Sequence, residues 1–239
     1  MIEHVRRGMD GSYWIPRRHA ETEAYLDSQF ERIDTLRWMP KNVALITHYQ
    51  GIYKDQICNI IGKGPSLDNL TLAMLMKFDG PILCLNESIH KVLTLKPSES
   101  RVYVIQMDST LGETCNPGTD QIPIFLSPRC ANLYQQGCNP VVIDPYQFAL
   151  DSNCLSGQFA IKLARTFGCV GACLFSFDGC LRQNYGYANC IGYPSSKGGI
   201  PTRFREHKQM LLQTAGKNFP LQWIIPREGG VYDHTMPLA

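Results

Sequence analysis

The chain has 239 residues, 44% of them hydrophobic, and a formal net charge of +2. That length suits one large domain with its own core, and the composition excludes a disordered or a membrane protein. No apolar run approaches the roughly 18 residues that span a bilayer, and so even a charge balance neither recommends nor excludes nucleic acid.

The first seven residues, MIEHVRR, carry no apolar stretch behind their basic residues, so no secretory signal is expected and the cytosol is the expected location. Residues 1–41 read as an N-terminal arm and helix. The helix covers 20–38, where Tyr25, Phe30, Ile33 and Leu36 fall near helical spacing, and Pro40 closes it. Residues 42–48 (NVALITH) form a short strand candidate. The remainder, 42–239, reads as a nucleotide-binding α/β domain.

From residue 56 the pattern is regular. Strand-length apolar runs lie at 56–61, 81–86, 101–106, 122–127, 141–144, 171–177 and 221–225. Helix-like stretches at 68–77, 87–94, 155–167 and 203–215 separate several of them. This alternation predicts a Rossmann-like fold: a mainly parallel sheet, buried by helices on both faces. Residues 179–202, rich in Gly, Tyr, Asn and Ser, read as a lid-like insertion. The turn-rich tail 226–239 and the arm 1–19 are candidate docking segments. Self-association into a homo-oligomer stays open.

Of ten cysteines, Cys58, Cys84, Cys154, Cys169 and Cys173 sit in or beside apolar runs and read as buried free thiols. Only Cys169 and Cys173 are closely spaced, and no second pair completes a zinc site, so no metal site is expected. Arg6, Arg7, Arg17 and Arg18, and likewise Arg203, Arg205 and Lys208, read as solvated surface.

Four segments at strand ends carry the candidate chemistry. The first strand runs into Gly62-Lys63-Gly64-Pro65-Ser66, a glycine turn leading to a helix start, where free amides favour an anion. Its bland alternative is a tight turn. Asn86 ends the second strand and either faces a base or ribose or caps the next helix. Asp108, followed by Ser109 and Thr110, ends the third; it suits a metal, a sugar hydroxyl or a cap. Ser156-Gly157 opens the amphipathic helix that stops at Gly168, and the strand after it ends in Asp178. Arg182 reads as a partner for a diphosphate. His207 is a candidate base or an ordinary surface histidine.

Taken together, GxGPSL after the first strand, Asn after the second, a Ser-Gly helix start and a strand ending in (G/S)-x-Asp resemble a Rossmann-like superfamily. It includes the Campylobacter-type bacterial sialyltransferases and the archaeal 6-hydroxymethylpterin diphosphokinases. The similarity spans about 56–225. It implies that Gly62, Gly64, Ser66, Asn86, Ser156 and Gly157 contact a cytidine nucleotide-sugar, and in the diphosphokinase branch that Asp108 suits metal-bound phosphates. Pro65, Asp108 and Asp178 are further nucleotide-binding candidates by their place at the strand ends. The resemblance also implies that Tyr185 and Tyr187 help the nucleotide phosphate leave. Where the sialyltransferases carry a general-base histidine this chain has Pro201, and His207 lies one turn further on.

Three functions follow as expectations. One is a nucleotide-sugar-dependent glycosyltransferase, its acceptor a glycan or a modified DNA base. Another is a Mg-dependent diphosphokinase acting on a small alcohol, with Mg²⁺ on Asp108 or Asp178. The third is a non-catalytic nucleotide-binding or structural module; the Trp14-Ile15-Pro16 arm gives it a phage-like impression.

Overall fold

The computed structural model describes residues 46–107, 115–127, 139–142, 148–150, 154–181, 188, 190, 201–230 and 232–234. The expected arm and helix at 1–41 lie outside these residues, as do Asp108, Arg182, Tyr185, Tyr187 and most of the insertion 179–202.

The fold is Rossmann-like α/β. Its strands are β1 (Ile57–Ile61), β2 (Ile82–Leu85), β3 (Val102–Gln106), β4 (Pro123–Leu126), β5 (Asn139–Val142), β6 (Gly171–Phe175), β7 (Leu221–Pro226) and β8 (Tyr232–His234). They form one sheet in the order β5-β4-β3-β2-β1-β6-β7-β8. Strands β1 to β7 pair in parallel, and β8 joins antiparallel to β7. The order reverses at β1, which lies between β2 and β6; such a reversal opens the ligand crevice of doubly wound sheets.

Alternate residues along each strand feed two separate cores, because successive side chains point to opposite faces. Cys58, Ile60, Leu83, Ile105, Phe125 and Leu174 belong to one cluster with Phe159, Ile161, Leu163 and Leu211. Those helical residues come from α3 (Ser156–Thr166) and α4 (Pro201–Ala215). Ile61, Ile82, Cys84, Val104 and Phe175 belong to the other, with Leu67, Leu75, Ile89 and Val92. These come from a 3-10 helix at Pro65–Asn69, from α1 (Leu72–Leu75) and from α2 (Ser88–Thr94). Burial on both faces accounts for strands without polar alternation.

Three local readings need correction. The stretch 68–77 is no single helix: Leu70 is extended, with ψ 132°, and Thr71 caps a new, four-residue turn. The break lets Leu67, Leu70, Met74 and Leu75 all reach the sheet. The strand candidate 42–48 meets a 3-10 helix at Ile46–Tyr49. Tyr49 and Tyr53, four residues apart, both pack against Tyr103 and Phe167, a spacing that a turn satisfies. Finally, part of the tail is structured, since Tyr232–His234 pairs with β7.

The segment after Tyr49 also closes the end of α3. The amides of Gly51, Tyr53 and Asp55 donate to the carbonyls of Thr166, Phe167 and Gly168, groups that a helix end leaves without partners. Gly168 itself turns the chain with φ +89°, and Gly168 and Cys169 donate back to Arg165 and Ala164 in a Schellman pattern. A Cβ at 168 would stand 3.1 Å from the Cα atoms of Gly51 and Lys54. Gly168→Ala is therefore expected to lower unfolding free energy by about 1–3 kcal/mol, measured by urea denaturation. An unchanged midpoint would refute this account of the turn.

Candidate functional site

Among the described residues, every buried polar or charged side chain except Asn59 lies at one end of the sheet. Ser66 follows β1; Asn86, Glu87 and Ser88 follow β2; Gln106 ends β3; Ser127 follows β4; Ser176 and Asp178 follow β6. Gln158 lies in the first turn of α3 and accepts a hydrogen bond from the Leu155 amide (3.0 Å). Buried polar groups cost free energy unless paired, and several here are paired within the chain: Ser66 with Asp178, Glu87 with Lys63, Ser88 with the Ile61 carbonyl and Ser127 with that of Met107.

The glycine turn is organised around the chain itself. Gly62 donates its amide to the Phe175 carbonyl (2.8 Å) and Gly64 to that of Ser176 (2.9 Å). A Cβ on Gly62 would come within 2.7 Å of the Ser176 carbonyl oxygen, and one on Gly64 within 2.6 Å of the same atom while colliding with the Asp178 carboxylate. These glycines thus permit close approach of one strand-end loop to another. The amides expected to be free for an anion at 62 and 64 are engaged.

Pro65 opens the 3-10 helix Pro65–Asn69, which is too short to act as an anion-binding helix start. Its anion is internal: Ser66 Oγ donates to Asp178 Oδ2 at 2.8 Å, and the Ser66 amide approaches the same oxygen at 3.4 Å. Burial pushes the Asp178 carboxyl above the ordinary value of 3.8; the Ser66 hydroxyl, backbone hydrogen bonds and the charge of Arg227 oppose that rise. Two residues of the insertion rest on this turn. The Ala188 amide donates to the Lys63 carbonyl (3.0 Å) and the Cys190 amide to Asp68 Oδ1 (2.9 Å).

Asn86 and Ser176 flank this turn. Ile61 pairs with Cys84 on one side and Phe175 on the other. Asn86 and Ser176 therefore lie just past the sheet on either side of β1. Both have positive φ, 52° and 59°, uncommon for residues with a side chain. Asn86 is 7% exposed and Ser176 1%, and neither Asn86 Oδ1 nor Ser176 Oγ has a hydrogen-bond partner. The Asn86 oxygen thus caps nothing.

Ser156 and Gly157 form the first turn of α3 at the same edge, where amides have no partner within the helix. The ring of Phe177 links this turn to the glycine loop: it lies 3.0 Å from a Cβ built on Gly62 and 3.3 Å from one built on Gly157. The nearest neighbour of a Cβ built on Gly157 is Leu211, at 2.8 Å. His207 lies four residues before Leu211 on α4, half-buried and already in contact with neighbours.

Sequence reasoning missed Ser176, Phe177 and the ion pair of Lys63 with Glu87 (3.0 Å). Lys63 sat inside the glycine motif, a usable signal; Ser176 and Phe177 had only their strand-end position. Cys58, Cys84, Cys115, Cys154, Cys169, Cys173 and Cys180 are buried free thiols. Burial pushes Cys173 and Cys180 up to about 12, which disfavours the thiolate needed for nucleophilic or metal chemistry. Among the described residues no group of three His, Cys, Asp or Glu could hold a metal ion, and no helix is long and apolar enough to cross a membrane. No family model matches the chain, and no curated protein matches it significantly.

The raised Asp178 carboxyl sets a pH dependence. Between 3.8 and its higher folded value, the native state holds a proton that the unfolded chain has released. Its contribution to stability is present below that window and is lost as pH rises through it. Unfolding free energies of wild type and Asp178→Asn, compared over about pH 3 to 7, should show wild type losing ground to the variant as pH increases. A constant difference would mean Asp178 titrates as it does unfolded.

Proposed function

We propose that the carboxyl edge around β1 binds a nucleotide and that the protein is a nucleotide-sugar-dependent transferase. The observation that carries the reading is the pair of buried, unpaired oxygens, Asn86 Oδ1 and Ser176 Oγ, on the two sides of the strand where the sheet order reverses. A buried acceptor without a donor costs about 1–3 kcal/mol, and a ligand amino or hydroxyl group at Asn86 would remove that cost. The first turn of α3 adds amides and the hydroxyl of Ser156 at the same edge.

In such a transfer the acceptor hydroxyl attacks the anomeric carbon, the bond from that carbon to the phosphate oxygen breaks, and the nucleotide departs with the electron pair. His207 on α4 is the proposed acceptor of the hydroxyl proton. Tyr185 and Tyr187, carried over by resemblance, and Arg182, read from its charge and its place after Asp178, would stabilise the departing phosphate. The diphosphokinase reading is less well supported, because Asp178, one of its two metal candidates, already bonds Ser66.

A second reading, a non-catalytic binding module, draws on a specific observation: Asp178 and Ala188 bond the glycine turn, and Cys190 bonds Asp68 in the short helix that follows it. Titration calorimetry with CMP-, UDP-, GDP- and ADP-sugars, followed by an assay for release of the nucleotide, separates the two. Binding with release supports the transferase, binding without release the module, and a folded sample that binds none removes both. Asn86→Gly keeps the positive φ at no steric cost. It should weaken the best nucleotide-sugar by about tenfold or more without lowering the melting temperature. Equal affinity would remove Asn86 from the site.

A further inference from the structure

The first turn after β1 is where this fold class meets a ligand's phosphates, yet its glycine amides at 62 and 64 are engaged with β6. What the turn still presents is Lys63. Its ammonium lies 3.0 Å from Glu87 Oε2, and the two side chains are 16% and 3% exposed. Glu87 directly follows Asn86, so the pair bridges the end of β1 to the end of β2 beside the unpaired Asn86 oxygen. Burying a carboxylate this deeply is costly unless a cation answers it. A tie between two loops alone could be made by apolar packing at lower cost. An ammonium, moreover, serves several acceptors at once.

We propose that Lys63, held in place by the buried carboxylate of Glu87, carries the positive charge that binds the ligand's phosphates. The role rests on the nucleotide reading and names the part of the ligand that this loop recognises. Lys63 takes the place of the backbone amides in meeting the phosphate, and Glu87 is a positioning residue that fixes where the ammonium stands.

Calorimetry of the full chain with cytidine, CDP and inorganic pyrophosphate tests this; cytidine is the nucleoside that the resemblance implies. CDP should bind more tightly than cytidine, with an affinity that falls as salt rises. Lys63→Met should weaken CDP by about tenfold or more, leave cytidine unchanged and flatten the salt dependence, while Lys63→Arg should keep most of the affinity. CDP binding that salt does not affect in wild type, or that Lys63→Met leaves intact, overturns the role of Lys63 while the nucleotide reading stands. Pyrophosphate binding that is lost in Lys63→Met, with no gain from the nucleoside, leaves Lys63 in place and removes the nucleotide reading. Wild type that binds none of the three probes overturns the role of Lys63, and the nucleotide reading falls with it when the four sugar nucleotides fail as well.

Discussion

The fold at its carboxyl edge depends on one contact, the stitching of the loop after β1 to the loop after β6. Two amide–carbonyl bonds, from Gly62 and Gly64, extend the pairing of these strands beyond the sheet, and the Ser66–Asp178 bond closes the seam. Because β1 and β6 are neighbours at the point of reversal, this seam lies at the edge where doubly wound sheets take their ligands. It also decides residue identity. No side chain fits at 62 or 64, since the Ser176 carbonyl occupies the space, and Phe177, held at the same seam, fills the gap toward Gly157.

The seam changes how a glycine-rich turn is to be understood. Glycine allows close approach of backbone to anything, a phosphate or another stretch of chain. Here the approach is to the chain, and the carboxylate of Asp178 stands at the head of the short helix where an external anion would otherwise stand. Charge for an external ligand must then come from side chains at the rim, such as Lys63, or from the start of α3. The unpaired oxygens at Asn86 and Ser176 belong to the same arrangement. Each lies on a backbone with positive φ, a conformation that costs free energy and persists only where surroundings enforce it.

The strands were legible because parallel strands buried on both faces are written as short, unbroken apolar runs, and β1 to β4, β6 and β7 fall on such runs within a residue or two. Gly168 was legible as a helix stop because its role is local. The break at Leu70 and Thr71 was not, since 68–77 has enough leucine and methionine for one continuous helix and only the shape of the sheet separates it in two. Strand β8 escaped because three residues at an edge carry almost no pattern. The least legible feature was the most consequential: Ser66 and Asp178 are 112 positions apart, and nothing near either residue announces the other. The strand-end positions of Gly62, Asn86, Ser156 and Asp178 could be read from the sequence, whereas their partners could not.

The two ends of the sheet are built on opposite principles. At the amino end, Tyr49, Tyr53, Tyr103, Phe125 and Phe167 pack ring against ring, and the segment after Tyr49 satisfies the last carbonyls of α3. Tyr53 and Tyr103 even share their hydroxyls at 3.1 Å. At the carboxyl end the chain buries an acid, an ion pair and two oxygens without partners. Buried atoms without a partner also occur elsewhere, at Gln56 Oε1 just before β1, at Asn59 Oδ1 within it and at Trp223 Nε1 on β7; the carboxyl end differs in the number of buried polar side chains gathered there. Gathering buried polar groups at the strand where the order reverses is what the proposed binding site would require. It is also why a ligand there should stabilise the fold by supplying bonds that the chain alone leaves unmade.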